Sequence, residues 1–211
     1  MFYDRYEAGQ KLAQALIKYK NNQEVIVLAI PRGGVVVGFE VAKALKVPLD
    51  IVVARKIGAP GNAEFAIGAV SEKGDIILNE ESISEYQISR DYIKKEAKIQ
   101  RQEVKRRLAE YREGKEPANL KDKIVIIVDD GIATGASIKA AISSVKADAP
   151  KKVILAVPVA PPDTVEELKK EVDEVVCLET PETFFAVGQF YQIFDQTSDE
   201  EVKEILKTAQ K

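Results

Sequence analysis

The 211-residue sequence has no histidine and no tryptophan, and only one cysteine and one methionine. Without histidine, Ser-His and Cys-His nucleophile pairs and imidazole metal sites are excluded. Any chemistry must therefore come from carboxylates, lysine, arginine, backbone amides or a bound cation. Cys177 has no partner for an intrachain disulfide, and its apolar, strand-like surroundings make it a small buried hydrophobe rather than a nucleophile or metal ligand. No run of eighteen apolar residues occurs, and the opening MFYDRYEAGQ lacks a basic-then-apolar leader pattern, so a cytoplasmic location without a membrane partner is expected. A net charge of -3 and a pI near 5.4 argue against a surface built for nucleic acid. What remains is an ordinary globular balance, 45% apolar and 31% charged, long enough for a real core. No repeat or linker divides the chain, so one domain over residues 1–211 is expected.

The most informative stretch is Lys123 to Ser144, KIVIIVDDGIATGASIKAAISS. Five apolar residues, Ile124 to Val128, have the pattern of a strand buried on both faces of a parallel sheet. Ile138, Ala141, Ile142 and Val145 follow at helical spacing, with Ser137 as the expected N-cap. A helix N-terminus offers unpaired N–H groups and a positive dipole end, which suits a phosphate. Gly131 and Gly135 let the backbone turn its amides inward, and Thr134 and Ser137 add hydroxyls. Asp129 and Asp130 would repel that phosphate, so they must face sugar hydroxyls or a cation. Together these features describe a site for a sugar phosphate at the carboxyl end of a strand. The alternative phosphate motifs, G-x-x-x-x-G-K-[ST] and G-x-G-x-x-G after a strand, are absent.

A second unit of the same kind lies upstream. Val25 to Ile30 forms a buried-strand run into Pro31-Arg32-Gly33-Gly34, and a helix follows with Val35, Phe39, Ala42 and Leu45 inward. Arg32 can grip a phosphate bidentately while the paired glycines admit backbone amides to the same anion. Pro48 to Ala54 predicts a further buried strand that delivers Arg55 and Lys56 into a loop with Gly58, Pro60 and Gly61, the pattern of a clamp and lid, with a β-hairpin connection as the alternative and both partly true. Glu64 in that segment is a candidate acid or base. Phe65 to Val70 and Asp75 to Leu78 predict a hairpin around Glu72-Lys73-Gly74.

The rest of the chain reads as scaffold. Arg5 to Tyr19 is an outer helix with no functional content. Glu80 to Gly114 is a long charged helical insertion with Tyr92, Ile93, Ala97, Val104, Leu108 and Tyr111 on one face. Its Arg101, Lys105, Arg106 and Arg107 alternate with Glu96, Glu103, Glu110 and Glu113, a salt-bridged solvated face rather than a nucleic-acid stripe. Its one-sidedness leaves room for a subunit contact, such as a homodimer. Strands are expected over Lys152 to Pro158 and Val175 to Leu178, with helices from Pro162 and near Ser198 to Ala209. The aromatic-rich TPETFFAVGQFYQIF, Thr180 to Phe194, reads mainly as packing against the sheet. The alternation gives an α/β fold: a doubly wound parallel sheet with a small antiparallel flap and a long helical insertion.

VIIVDDGIATGAS resembles the phosphoribosyl pyrophosphate (PRPP) signature of type I phosphoribosyltransferases, and PRGG resembles the pyrophosphate loop that follows the first core strand in that family. The resemblance extends over the whole chain, and is closest to an uncharacterised subgroup with PRGG, ARK-x-GAPGN and an FFAVG-like tail. It implies transfer of a 5-phosphoribosyl group from PRPP to a nitrogenous acceptor, an unidentified base, with release of pyrophosphate. By the same resemblance Ala133, Thr134, Gly135, Ala136 and Ser137 hold the 5′-phosphate, and Arg32, Gly33 and Gly34 hold pyrophosphate. Asp129, Asp130, Arg55 and Lys56 are the implied catalytic set. Mg²⁺ is the implied cofactor, with no direct protein ligand and with Asp129 and Asp130 reaching it through water. A strained or cis non-proline peptide is expected at or next to Arg32. Ala133 stands where 6-oxopurine transferases commonly carry an aspartate, which disfavours guanine and hypoxanthine as acceptors. The alternative function is a PRPP- or nucleotide-sensing regulator on the same fold.

Overall fold

The computed structural model describes residues 1–209, apart from the side chains of Ala63 and Glu64, so the candidate acid or base Glu64 lies outside the described residues. The main sheet comprises β1 (Val25–Ala29), β2 (Leu49–Ile51), β6 (Ile124–Val128), β7 (Lys152–Val159) and β8 (Glu174–Glu179). Its order is β2-β1-β6-β7-β8 and all pairings are parallel. Alternate residues of each strand go to opposite faces. Val27, Ala29, Ile126, Val128 and Ile154 join one apolar cluster, whereas Ile26, Leu28, Val125, Ile127 and Leu155 join the other.

Helices cover both faces, as strands apolar on both sides require. Helices α1 (Arg5–Ala15), α2 (Gly33–Leu45) and α7 (Asp199–Ala209) bury Leu12, Val35, Val37, Leu45, Val202 and Leu206 in the first cluster. On the opposite face α5 (Ala136–Lys146) and α6 (Pro162–Leu168) contribute Ile138, Ile142, Val145, Val165 and Leu168. Burying these aliphatic side chains contributes about 1.5–3 kcal/mol each. The chain winds outward from β1 to β2 in one direction and from β6 through β7 to β8 in the other. The reversal falls between β1 and β6, where open α/β sheets leave a crevice at the strands' carboxyl ends. In register, Ala29 pairs with Val128. The turn after β1 and the acidic pair after β6 therefore leave the sheet side by side.

Three expectations are corrected. The strand predicted over Pro48 to Ala54 is only Leu49–Ile51. Val52 still donates to the Ala29 carbonyl at 3.1 Å, but the chain then leaves the sheet because Arg55 onward pairs elsewhere. The predicted lid loop is itself strand: β3 (Arg55–Ala59), β4 (Asn62–Val70) and β5 (Ile76–Leu78) form a separate antiparallel sheet in that order. Pro60-Gly61 makes the first turn, with Gly61 at a left-handed φ of 76°. The hairpin expected around Glu72-Lys73-Gly74 forms between β4 and β5 as read. The third correction is at α5, where the cap is Gly135 with φ 74°, so Ser137 sits inside the first turn.

The charged insertion is two helices, α3 (Glu80–Glu85) and α4 (Arg90–Arg112), divided at Tyr86 to Ser89, with Ser89 capping α4. Ile93, Ala97, Val104 and Tyr111 are buried as the one-sided pattern required. They pack on α7 and the flap, so that face is used within the chain. Arg106 pairs with Glu103 and Glu110 on the opposite, solvated face. Among the described residues no helix is long and apolar enough to cross a membrane.

Candidate functional site

The Pro31–Arg32 peptide is cis, as expected for that loop. The turn it belongs to presses against the acidic pair. A Cβ on Gly33 would lie 1.9 Å from Asp130 Oδ2, and one on Gly34 would lie 2.8 Å from Asp129 Oδ1 and 2.9 Å from its Cα. These two glycines are thus required by the close approach of one motif to the other, in addition to any role for their amides. The guanidinium of Arg32 is engaged elsewhere: Nη1 lies 3.9 Å from Asp199 Oδ1, and the side-chain amide of Gln196 lies beside it. Tyr111 donates its hydroxyl to the same Asp199 carboxylate.

Asp129 and Asp130 follow β6 directly, and Asp130 N donates to Asp129 Oδ1 at 2.8 Å. Burial, and then the charge of Asp130, pushes the Asp129 carboxyl well above the ordinary carboxylate range. Asp130 has an opposite charge in contact. Arg5 Nε donates to its Oδ2 at 2.7 Å, and the two side chains are only 12% and 16% exposed. Arg5 Nη1 donates to the Asp195 carbonyl at 2.7 Å, and the guanidinium stacks 3.8 Å from the Phe194 ring centroid. Tyr191 donates to the Asp130 backbone carbonyl at 2.5 Å. The outer helix, expected to have no functional content, therefore delivers a residue to the site. Nothing in its periodicity distinguishes Arg5 from a solvated arginine. The aromatic tail packs as expected, with Tyr191 on Phe2 and Phe194, while Tyr191 also holds the Asp130 carbonyl and Phe194 backs Arg5.

Beyond the acidic pair, Gly131 passes the tail so closely that a Cβ would meet Val187 at 2.4 Å. Ala133, Thr134 and Ser137 are exposed at the opening of α5. Thr164 on α6 holds the loop by donating to the Ala133 carbonyl at 3.1 Å. The loop thus presents an open helix N-terminus with two hydroxyl residues, beside two carboxylates and the PRGG turn.

Arg55 and Lys56 stand on β3 of the flap. Arg55 Nε donates to Gln100 of α4 at 3.0 Å; burial, with the Arg107 charge second, lowers its pKa. The structure therefore brings PRGG, the acidic pair and the 133–137 loop together, and places Arg55 at the seam between flap and α4. A groove of about 520 Å³ separates the flap from α5, bordered by Phe65, Ile77, Thr134 and Lys139. Cys177 is inert: its Sγ donates to the Glu179 carbonyl at 3.2 Å, and burial pushes the thiol up to about 11.

Among the described residues no cluster of three or more His, Cys, Asp or Glu side chains could cage a metal. Two adjacent carboxylates, one already engaged by Arg5, fit a hard cation that keeps most of its waters and takes its other ligands from phosphates, the usual habit of Mg²⁺.

The phosphoribosyl transferase domain family matches residues 2–192. A Mycobacterium tuberculosis H37Rv protein named "Putative phosphoribosyl transferase Rv0571c" is 46% identical over 209 residues, 99% of this chain and 47% of that protein. The chain thus spans about half the length of that relative. A crystal structure of the protein TT1426 from Thermus thermophilus superposes with a TM-score of 0.86 at 45% identity, covering 97% of both chains. A protein from Aquifex aeolicus, AQ2163, is similar in fold alone, with a TM-score of 0.52 at 14% identity over 96% of this chain and 83% of that one.

Proposed function

The chain belongs to the phosphoribosyl transferase family, and from that premise we propose that it transfers the 5-phosphoribosyl group of PRPP to a nitrogenous acceptor, releasing pyrophosphate. The observation that carries this reading is the Ala29–Val128 register, which sets a glycine turn and an acidic pair edge to edge beside an open helix N-terminus.

In this mechanism the amides of residues 133–137 and the hydroxyls of Thr134 and Ser137 bind the 5′-phosphate, and the Gly33 and Gly34 amides receive pyrophosphate. Arg32 must release Asp199 to join them, and Arg55 and Lys56 close from the flap. Asp129 and Asp130 orient the ribose hydroxyls and favour positive charge at C1. The C1–O bond to pyrophosphate breaks with its electron pair leaving on oxygen, the acceptor nitrogen bonds to C1, and the acceptor's proton passes to solvent. Little covalent work falls to the protein, so positioning and charge stabilisation supply the acceleration. When bound, Mg²⁺ neutralises the leaving pyrophosphate, and Asp129 and Asp130 would hold it through water. Ala133 carries no carboxylate to assist a 6-oxopurine, which favours an adenine-like acceptor.

A second reading, a PRPP sensor without transfer, is favoured by the engagement of Arg32 with Asp199 and of Arg55 with Gln100. One assay separates the two: PRPP with Mg²⁺ against a panel of bases and small amines. Pyrophosphate release with one acceptor supports transfer, while tight PRPP binding with no release from any acceptor supports the sensor. Adenine inert where another base reacts would end the adenine-like assignment.

A further inference from the structure

Asp130 is held from two sides by groups that come from opposite ends of the chain. Arg5 grips Oδ2 through Nε at 2.7 Å. The same guanidinium is tied through Nη1 to the Asp195 carbonyl at 2.7 Å and lies over the Phe194 ring, 3.8 Å from its centroid. Tyr191 fixes the Asp130 carbonyl at 2.5 Å. A planar fork with two directed bonds and a stacked face cannot be reproduced by an ammonium on a flexible stem. Gly33 closes a third side, since a Cβ there would lie 1.9 Å from Oδ2 and 2.7 Å from Arg5 Nε. The pair is too buried to be a surface ion pair of negligible worth, and a surface pair would need neither the stack nor the glycine.

We propose that Arg5 is a positioning residue for the transfer reaction: by occupying Asp130 Oδ2 it fixes the carboxylate so that Oδ1 is presented to the ribose 2-hydroxyl. This rests on the phosphoribosyl reading of the site. A carboxylate free to rotate would spend part of its time hydrogen-bonded to water or to its own backbone, and its bond to the sugar would carry the entropy of ordering it. With Arg5 in place that ordering is complete before the ligand arrives, and the charge-assisted bond from the guanidinium maintains it.

The test compares ribose 5-phosphate with 2-deoxyribose 5-phosphate by calorimetric titration. The phosphate loop treats the two alike, and only a group bonded to the 2-hydroxyl separates them. The wild type should prefer ribose 5-phosphate by about tenfold or more, the worth of one hydrogen bond to a charged group. In Arg5→Gln that preference should fall to roughly twofold, with Arg5→Lys between, while 2-deoxyribose 5-phosphate binds as before. A role in folding alone would lower the melting temperature and leave the ratio untouched. A folded Arg5→Gln with the wild-type ratio overturns the proposal and leaves the phosphoribosyl reading standing. A wild-type ratio near one also overturns it, with phosphate binding intact, whereas a wild type that binds neither sugar phosphate nor PRPP brings down both. Should Arg5→Gln not fold, Arg5→Lys is read by the same rule.

Discussion

Arg5 Nε and Asp130 Oδ2 lie 2.7 Å apart although 125 positions separate them in the chain. One belongs to the first turn of α1 and the other to the loop after the central strand, and Gly33 passes so close to both that a Cβ there would lie 1.9 Å from Oδ2 and 2.7 Å from Nε. That arrangement fixes which substitutions the site tolerates.

Gly33→Ala should be damaging despite alanine's better helix propensity. Removing glycine from a helix is worth up to about 1 kcal/mol, but the added methyl would sit 1.9 Å from an ion-paired carboxylate oxygen. Overpacking of that kind costs about 1–3 kcal/mol, so the clash wins. Urea denaturation should show a net loss of stability, and PRPP titration a weakened affinity. A variant as stable as the wild type with unchanged PRPP binding would contradict the close approach.

The double variant Asp129→Asn with Asp130→Asn should remove turnover far more than folding. Loss of preorganised charge of this kind lowers rates by about 10²–10³-fold. Pyrophosphate release measured beside circular dichroism checks it, and full activity in the double variant would overturn the assignment of the acidic pair.

Much of this arrangement is legible in the residues. Ile124 to Val128 and Val25 to Ala29 are apolar at every position because both sheet faces are covered, and that pattern identified both strands and the motifs at their ends. The burial of Val35, Ala42 and Leu45 likewise follows from spacing. What escaped reading is long-range. Arg5 is indistinguishable in sequence from a solvated arginine, since its partners Asp130, Phe194 and Asp195 meet it only after α1 packs beside the tail. The flap itself was expected, but not that Arg55 to Ala59 would be one of its strands. Glycine and proline at Gly58, Pro60 and Gly61 mark a turn, and only strand pairing tells a tight hairpin from an open lid. Ser137 looked like a cap by residue type, but the loop needed a left-handed residue at that boundary, and Gly135 supplies it.

Asp129→Asn alone should raise stability at neutral pH while impairing function. The folded-state pKa of Asp129 is raised by burial and by Asp130, so the native state binds its proton longer than the unfolded chain does. Stability from this group is fully present below the unfolded value of about 3.9 and is lost as pH rises toward the folded value. Asparagine stays neutral throughout and can still accept the Asp130 N–H. Melting temperatures should therefore favour the variant at pH 7.5 and converge with the wild type below about pH 4. A variant less stable than the wild type at pH 7.5 would count against the raised pKa.

Glu174 provides the opposite sign, far from the site. At the start of β8 it accepts from Lys18 at 2.8 Å, from Tyr19 at 2.7 Å and from Lys152 at 2.7 Å, tying the turn after α1 to the edge strand. Burial alone would raise its carboxyl, but Lys152, Lys18 and Tyr19 outweigh it and pull the value down from 4.5 to about 2. A depressed folded value means the stability is present above the unfolded pKa and lost as pH falls through the folded one. Glu174→Gln should then cost about 1–2 kcal/mol at pH 7 after discounting for screening at its partly exposed edge, or roughly 2–8 °C in melting temperature. The gap between variant and wild type should shrink steadily from pH 4.5 toward pH 2, the interval between the two values. A gap that stays constant over that interval would mean the cluster holds the edge strand by packing and neutral hydrogen bonds rather than by charge.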